Sequence, residues 1–308
     1  MEGEFRMNFK SVRFAGLSVL GLLISFQAFA LPPQTYDESR RFIHAIAAAH
    51  PESTQVFILG QGDTGDIIEG LQIGNGPVHN LVVATHHGNE YGSTEVAKGF
   101  AQSVAENPIK GQTIFVIPVL NISGYNSNTR EEQAITGDNQ WHDPNRDYPG
   151  PCGTAGPWTL KSTHMLADFI DKQNITVSAT LHTFAPAVLY PWGISTQDVV
   201  TPYQDTFIKI GQAAAADSHY DVGNSTLLIY PADGCYEDYA FWKHGIWSML
   251  FELGTSHSPS DAEVADMVKT NTSGLRRMFE MAPTTRAVDH EFHGKCDSSL
   301  KFLGTRME

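Results

Sequence analysis

Between residues 81 and 104 the chain passes from a short apolar run into two metal-type side chains and then into a helix. Leu81-Val82-Val83-Ala84-Thr85 reads as a buried strand and His87-Gly88-Asn89-Glu90 follows it. Val96, Phe100 and Val104 then recur four apart along a helix with one buried stripe. An imidazole and a carboxylate three residues apart at a strand exit can close on one metal ion from a single loop. A catalytic zinc site takes three protein ligands and leaves a fourth position to water. The pair therefore calls for a third ligand, a base and substrate clamps elsewhere in the chain. Taken alone, the spacing also fits a helix N-terminus with an acid in its first turn, and His86 stands beside His87 as a near-duplicate.

The alternation of strand and helix continues on both sides. Residues 36–49 carry Phe42, Ile43, Ile46 and Ala47 at helical spacing, and helices are expected again over Trp158–Asp171, Pro202–Ala216 and Asp261–Met281. Strand-like runs cover Thr54–Leu59, Asp66–Ile73, Asn80–Thr85, Thr113–Val119, Thr176–Leu181 and Ile246–Phe251. This pattern predicts an α/β protein, a three-layer α/β/α sandwich around a twisted mixed sheet. In such sheets, sites gather at the carboxyl ends of strands, where His87, His182 and Glu252 all stand. Gly60 to Gly65 matches a G-x-G-x-x-G pattern, but a strand-like run follows where a dinucleotide site needs a helix. Those glycines read as a hairpin turn. From Asn121 to Pro157 the chain is polar and aperiodic, and its aromatics and prolines favour an ordered, functional loop.

The first thirty residues have the make-up of a signal peptide. Lys10 and Arg13 precede the apolar stretch Phe14–Phe26, and Ala28-Phe29-Ala30 offers a small-x-small cleavage site. No later run approaches the ~20 apolar residues of a membrane span. The 308-residue chain is 41% hydrophobic, and residues 31–308 read as one domain closing in a C-terminal tail, 282–308. Without residues 1–30 it keeps 17 Lys and Arg against 32 Asp and Glu, a net charge of −15, which disfavours nucleic acid and anionic lipid as partners.

Glu252 ends the apolar run Trp247-Ser248-Met249-Leu250-Phe251. A carboxylate there is costly to bury unless paired or protonated, and apolar surroundings raise its pKa toward that of a general base. Asn145-Arg146, with Arg130 upstream, supplies guanidinium groups able to hold a carboxylate bidentately. At this point the chain resembles the zinc metallocarboxypeptidases, the family of the digestive carboxypeptidases A and B. The resemblance rests on His87-Gly88-Asn89-Glu90, Asp143-Pro144-Asn145-Arg146, Leu181-His182-Thr183-Phe184, Leu189-Tyr190-Pro191-Trp192-Gly193, Ile229-Tyr230-Pro231-Ala232-Asp233-Gly234 and Phe251-Glu252-Leu253, in the family's order. It implies one zinc ion on His87, Glu90 and His182, with Glu252 as base and Arg130 holding the oxyanion. It implies also that Asn145, Arg146 and Tyr230 hold a peptide's terminal carboxylate. By the same resemblance Glu237 falls where the family places the base of the side-chain pocket, a carboxylate in relatives that cleave basic residues; the alternative is that Glu237 and Asp238 merely start a surface helix.

Asp147 departs from the asparagine common after the Asn-Arg pair, and alignment around Arg130 is loose. The domain begins almost at once after Ala30, with no room for a long inhibitory prosegment, as in exported bacterial relatives that trim cell-wall peptides. The expectation is a monomeric periplasmic or secreted carboxypeptidase releasing diaminopimelate or a basic residue from murein peptides. The alternatives are a general Lys/Arg-type carboxypeptidase and an N-acyl amino acid amidohydrolase of the desuccinylase or aspartoacylase kind. Of the three cysteines, Cys152 and Cys235 flank loops that the family places at the active-site rim, so the resemblance implies a Cys152–Cys235 disulfide, with Cys296 left in a polar tail.

Overall fold

In the computed structural model, which describes residues 35–135, 137–154 and 156–296, the chain begins with α1 (Tyr36–Ala49), β1 (Thr54–Gln61), β2 (Ile67–Ile73), β3 (Val78–Ala84), α2 (Tyr91–Glu106), β4 (Gln112–Ile117) and α3 (Ile122–Ser127). Two short strands, β5 (Glu132–Gln133) and β6 (Trp141–His142), form a separate ribbon. Then follow α4 (Lys161–Lys172), β7 (Val177–His182), β8 (Ala187–Tyr190), α5 (Gln204–Ala214), β9 (Asp221–Asn224), α6 (Ser225–Leu228), α7 (Tyr236–His244), β10 (Trp247–Glu252) and α8 (Asp261–Met281). The proposed signal segment, residues 1–30, lies outside the described residues. Among those described, no helix is long and apolar enough to cross a membrane.

Eight strands make one mixed sheet in the order β1-β2-β4-β3-β7-β10-β8-β9. Its centre is parallel, β3 pairing with β4 and β7, and β7 with β10. Parallel strands are covered on both faces and read as near-continuous apolar runs, which is why the sequence announces them. The cover is helical. One core gathers side chains of α1, α2, α5 and α8 against Val177, Ala179, Leu181, Trp247, Met249 and Phe251. The other gathers those of α3, α4 and α7 on the opposite face. The three-layer mixed α/β sandwich expected from the sequence is the observed architecture.

Side-chain alternation with period two puts the odd residues of β7 and β10 into the first core. His182 and Glu252 are left on the face that α7 covers. The two are partners in the parallel register, so a neutral ligand and a carboxylate leave adjacent strands side by side. Gly62 to Gly65 turns β1 into β2, and the Gly62 amide donates to the Asp66 carbonyl (2.9 Å). The hairpin reading holds.

Two parts of the sequence reading need correction. Between Ala216 and Ile246, where the sequence offered only an alternative helix start at Glu237, the structure has β9, α6 and α7; β8, and α3, β5 and β6 within the expected loop, were likewise missed. The disulfide joins Cys152 to Cys296, with Cα atoms 5.3 Å apart, and Cys235 is a buried free thiol, so the Cys152–Cys235 pairing is wrong. The reason is that the tail is a packed strap. Arg286 donates to the carbonyls of Ile175 and Ile170 (2.7 and 2.9 Å), the Ala287 amide donates to Gly245 (2.7 Å), and Phe292 meets Trp192 edge-on at 5.2 Å. These contacts carry Cys296 back to Cys152.

Candidate metal centre and substrate cleft

His87 and Glu90 sit where β3 hands over to α2, with Glu90 at the helix N-cap position, where the helix dipole favours a carboxylate. Gly88 lets this loop lie against the backbone of α3, since a Cβ there would come within 2.0 Å of the Gly124 carbonyl carbon. His87 Nδ1 lies 2.7 Å from Glu90 Oε1, His182 Nδ1 lies 3.1 Å from Glu90 Oε2, and the two Nδ1 atoms are 3.2 Å apart. All three residues are buried. His87 Nε2 is 3.0 Å from Asp143 Oδ1. If it donates there, its Nδ1 presents a lone pair to Glu90, and nearby acceptors repel unless a proton or a cation lies between them. Tetrahedral zinc with nitrogen ligands at about 2.0 Å separates them by about 3.3 Å, which matches the Nδ1–Nδ1 distance. The donor set fits one zinc ion. The resemblance selects His87 over its neighbour His86. The His86 Nε2 is engaged with the Tyr148 hydroxyl at 3.0 Å, and its ring stacks on His182 beneath the site.

Burial works to raise the pKa of Asp143, but His87, Arg146 and Arg130 outweigh it and hold the carboxyl well below the usual range. Arg130 donates to Asp143 Oδ2 from Nε (2.9 Å) and lies 2.8 Å from it at Nη2. One carboxylate thus orients a metal ligand and a cleft guanidinium, an outer-shell arrangement typical of ligating histidines. The sequence reading quoted Asp143 inside a motif but gave it no role. Glu252 Oε2 is buried without a hydrogen-bond partner. Burial and then Glu90 push the Glu252 pKa well up, against the pull of Arg130 and Arg146.

The same cleft, of about 170 Å³, collects Asn145, Arg146, Tyr230 and Glu237. Arg146 Nη1 donates to the Asn145 carbonyl (2.6 Å) and to Cys235 Sγ (3.3 Å), and Nη2 donates to the Tyr230 hydroxyl (3.2 Å). Asn145 Oδ1 accepts from the Tyr236 amide (2.9 Å) and so pins the start of α7. That helix carries Glu237 in its first turn, 2% exposed, with Oε2 unpartnered. Burial raises the Glu237 pKa, with Arg146 among the groups opposing it. Asp147 holds the chain that follows it. Its carboxylate accepts from the amides of Thr159 (2.8 Å) and Leu160 (3.0 Å) and from the Thr163 hydroxyl, which caps α4 from a distance. The metal-ligand, base and substrate-holding candidates named from the sequence, Arg130 included, all line this one cleft.

Residues 39–274 match the family model described as zinc carboxypeptidase. The chain belongs to the zinc carboxypeptidase family. This zinc carboxypeptidase is 25% identical over 250 residues to a carboxypeptidase B of Astacus astacus, covering 68% of this chain and 82% of that protein. It is 26% identical over 176 residues to a carboxypeptidase O of Bos taurus, covering 47% of this chain and 46% of that protein. The solved structure of bovine thrombin-activatable fibrinolysis inhibitor in complex with tick carboxypeptidase inhibitor shares the fold, with a TM-score of 0.73 at 15% identity over 81% of this chain and 97% of that one. Family and donor set together make the chain a metallocarboxypeptidase that works through one zinc ion.

Proposed function

We propose that this zinc carboxypeptidase removes single residues with a cationic side chain, Lys or Arg, from the C-termini of peptides. The observation that carries the specificity is the buried, unpartnered Glu237 Oε2 in a cleft that also holds Arg146. A recessed carboxylate favours an ammonium or guanidinium and penalises an apolar group that leaves it unpaired. The relatives named carboxypeptidase B support this broad reading over the murein expectation. Diaminopimelate, which also ends in an amine, is the narrower case within it.

In this reading Arg146, Asn145 and the Tyr230 phenol hold the terminal carboxylate, which explains attack at a chain end only. Arg130, fixed by Asp143, faces the carbonyl oxygen as charge grows on it. Glu252 takes a proton from the attacking water and returns it to the leaving amine. His87, Glu90 and His182 would hold zinc, which when bound would supply Lewis acidity and bring the pKa of water down to about 7. We further place the enzyme outside the cytoplasm. The targeting-type segment 1–30 supports export, and so does the Cys152–Cys296 bond, since disulfides persist in oxidising compartments.

The test is kcat/KM on acyl dipeptides ending in Lys, Arg, diaminopimelate or Phe, with an N-acyl amino acid for the amidohydrolase alternative. Lys and Arg should exceed Phe by at least about tenfold, the scale on which a mispaired buried group discriminates. Glu237→Leu should reverse that order. Wild-type preference for Phe would overturn the pocket assignment while leaving the zinc chemistry intact.

A further inference from the structure

The segment from Asn121 to Leu160 carries Arg130, Asp143, Asn145 and Arg146 on largely irregular backbone, so something outside it must hold these groups in place. The holding points lie at the start of α4. Asp147, next to Arg146, takes the Thr159 and Leu160 amides and the Thr163 hydroxyl. Glu132, two residues beyond Arg130, accepts from the Ser162 hydroxyl at 2.5 Å, and its backbone pairs with His142 just ahead of Asp143. Glu132 is 3% exposed, Asp147 3% and Asp63 5%. We propose that Glu132 is a positioning residue that ties the arginine-bearing segment to α4 and so sets the substrate clamp.

The surroundings favour the neutral acid form of Glu132. Asp63, from the β1–β2 turn, accepts the Lys161 amide at 2.8 Å, with Lys161 Nζ 4.0 Å from its other oxygen. Asp147 and Tyr148 come from the segment itself; Lys161 is the basic group facing this cluster from α4. A third negative charge would add repulsion from Asp63 and Asp147 inside a water-poor space. Burial first, then those two carboxylates, raise the Glu132 pKa to about 8, with the Ser162 bond opposing. The folded chain therefore keeps a proton that the unfolded chain releases near the ordinary glutamate pKa, and the resulting stabilisation is complete below that value. It is lost as pH rises toward about 8.

The proposal rests on the reading that Arg146 holds a terminal carboxylate. Its test uses the zinc-loaded enzyme and three variants, with KM and kcat measured separately from pH 6 to 9.5 on an acyl-Lys dipeptide. Wild-type KM should rise severalfold above pH 8. Glu132→Gln, which keeps an acceptor for Ser162 without a charge, should flatten that rise. Glu132→Ala and Ser162→Ala should raise KM at pH 7 by fivefold or more while zinc content stays stoichiometric. A Glu132→Gln profile that superimposes on wild type would overturn the proposal, as would a Ser162→Ala enzyme with wild-type KM, even if Glu132→Ala does not fold. Should the Lys substrate fail with wild type, the specificity reading fails independently of the variants. The same profiles are then read on the terminal residue that wild type removes.

Discussion

Glu252 illustrates how much a single residue can reveal through its sequence context. A carboxylate ending the run Trp247–Phe251 breaks the logic of an apolar strand, and the fold leaves its Oε2 buried and unpartnered beside the zinc ligands. If it is the base, Glu252→Gln should keep stoichiometric zinc and lose roughly 10²- to 10⁴-fold in kcat, because an amide cannot accept the proton. Metal analysis alongside kcat decides; a variant with normal turnover would reduce Glu252 to a structural role. His87, Glu90 and His182 were legible for a similar reason, as polar groups at strand exits with partners of the right kind elsewhere. Asp143 was less legible. Nothing in its local sequence separates an orienting carboxylate from a turn residue, and its role exists only once His87 and Arg130 converge on it from distant loops. Cys152, Cys235 and Cys296 were not legible at all. Pairing depends on where the tail runs, and the tail's short contacts, Ala287 and Phe292, make no periodic pattern.

At the level of elements, the sequence disclosed what obeys a period. The central parallel strands are apolar runs, and α8 emerged with its bounds intact because Met267, Leu275, Met278 and Phe279 form one buried stripe against polar turns. Helix α7 was legible only as an alternative surface helix because it has no polar face to contrast: Tyr236 through Phe241 are all buried, Glu237 and Asp238 among them. Asp238 is accommodated by the Gly193 amide, 3.1 and 3.0 Å from its two oxygens, which no sequence period encodes. Strands β8 and β9, four residues each, are too short to show alternation. The terminal strap gives a prediction at this scale. The Cys152–Cys296 bond spans a sequence separation of 144, and the chain-entropy account assigns a loop of that size at most about 5 kcal/mol. Cys296→Ser should therefore lower Tm measurably, and reduced wild type should melt with the variant. Equal Tm for the variant and the oxidised wild type would show that the strap is held by packing alone.

For the whole molecule, the zinc site joins parts that are far apart in sequence. His87 and Glu90 leave β3 for α2, His182 ends β7, and Glu252 ends β10, so a cation there binds only the assembled sheet. Whatever binds only the folded form stabilises it in proportion to RT ln(1 + [L]/Kd). The same atoms also compete for protons. Burial works to lower the His87 pKa, but Glu90 and Asp143 leave it raised, while His87 and His182 keep Glu90 low in spite of burial. In the zinc-free protein a proton on His87 therefore contributes stability that is complete below the ordinary histidine pKa and is lost as pH rises through its higher folded value. In the zinc-loaded protein that proton is displaced, and affinity for the metal grows as pH rises. The two trends oppose each other, so the Tm gap between zinc-loaded and chelator-treated enzyme should widen as pH rises toward the raised folded value of His87 and narrow as pH falls below it. Thermal melts of both forms from pH 5 to 8 test this. A gap independent of pH would mean that His87 carries no extra proton in the zinc-free fold. No gap at any pH would mean that the three ligands do not hold a metal at all.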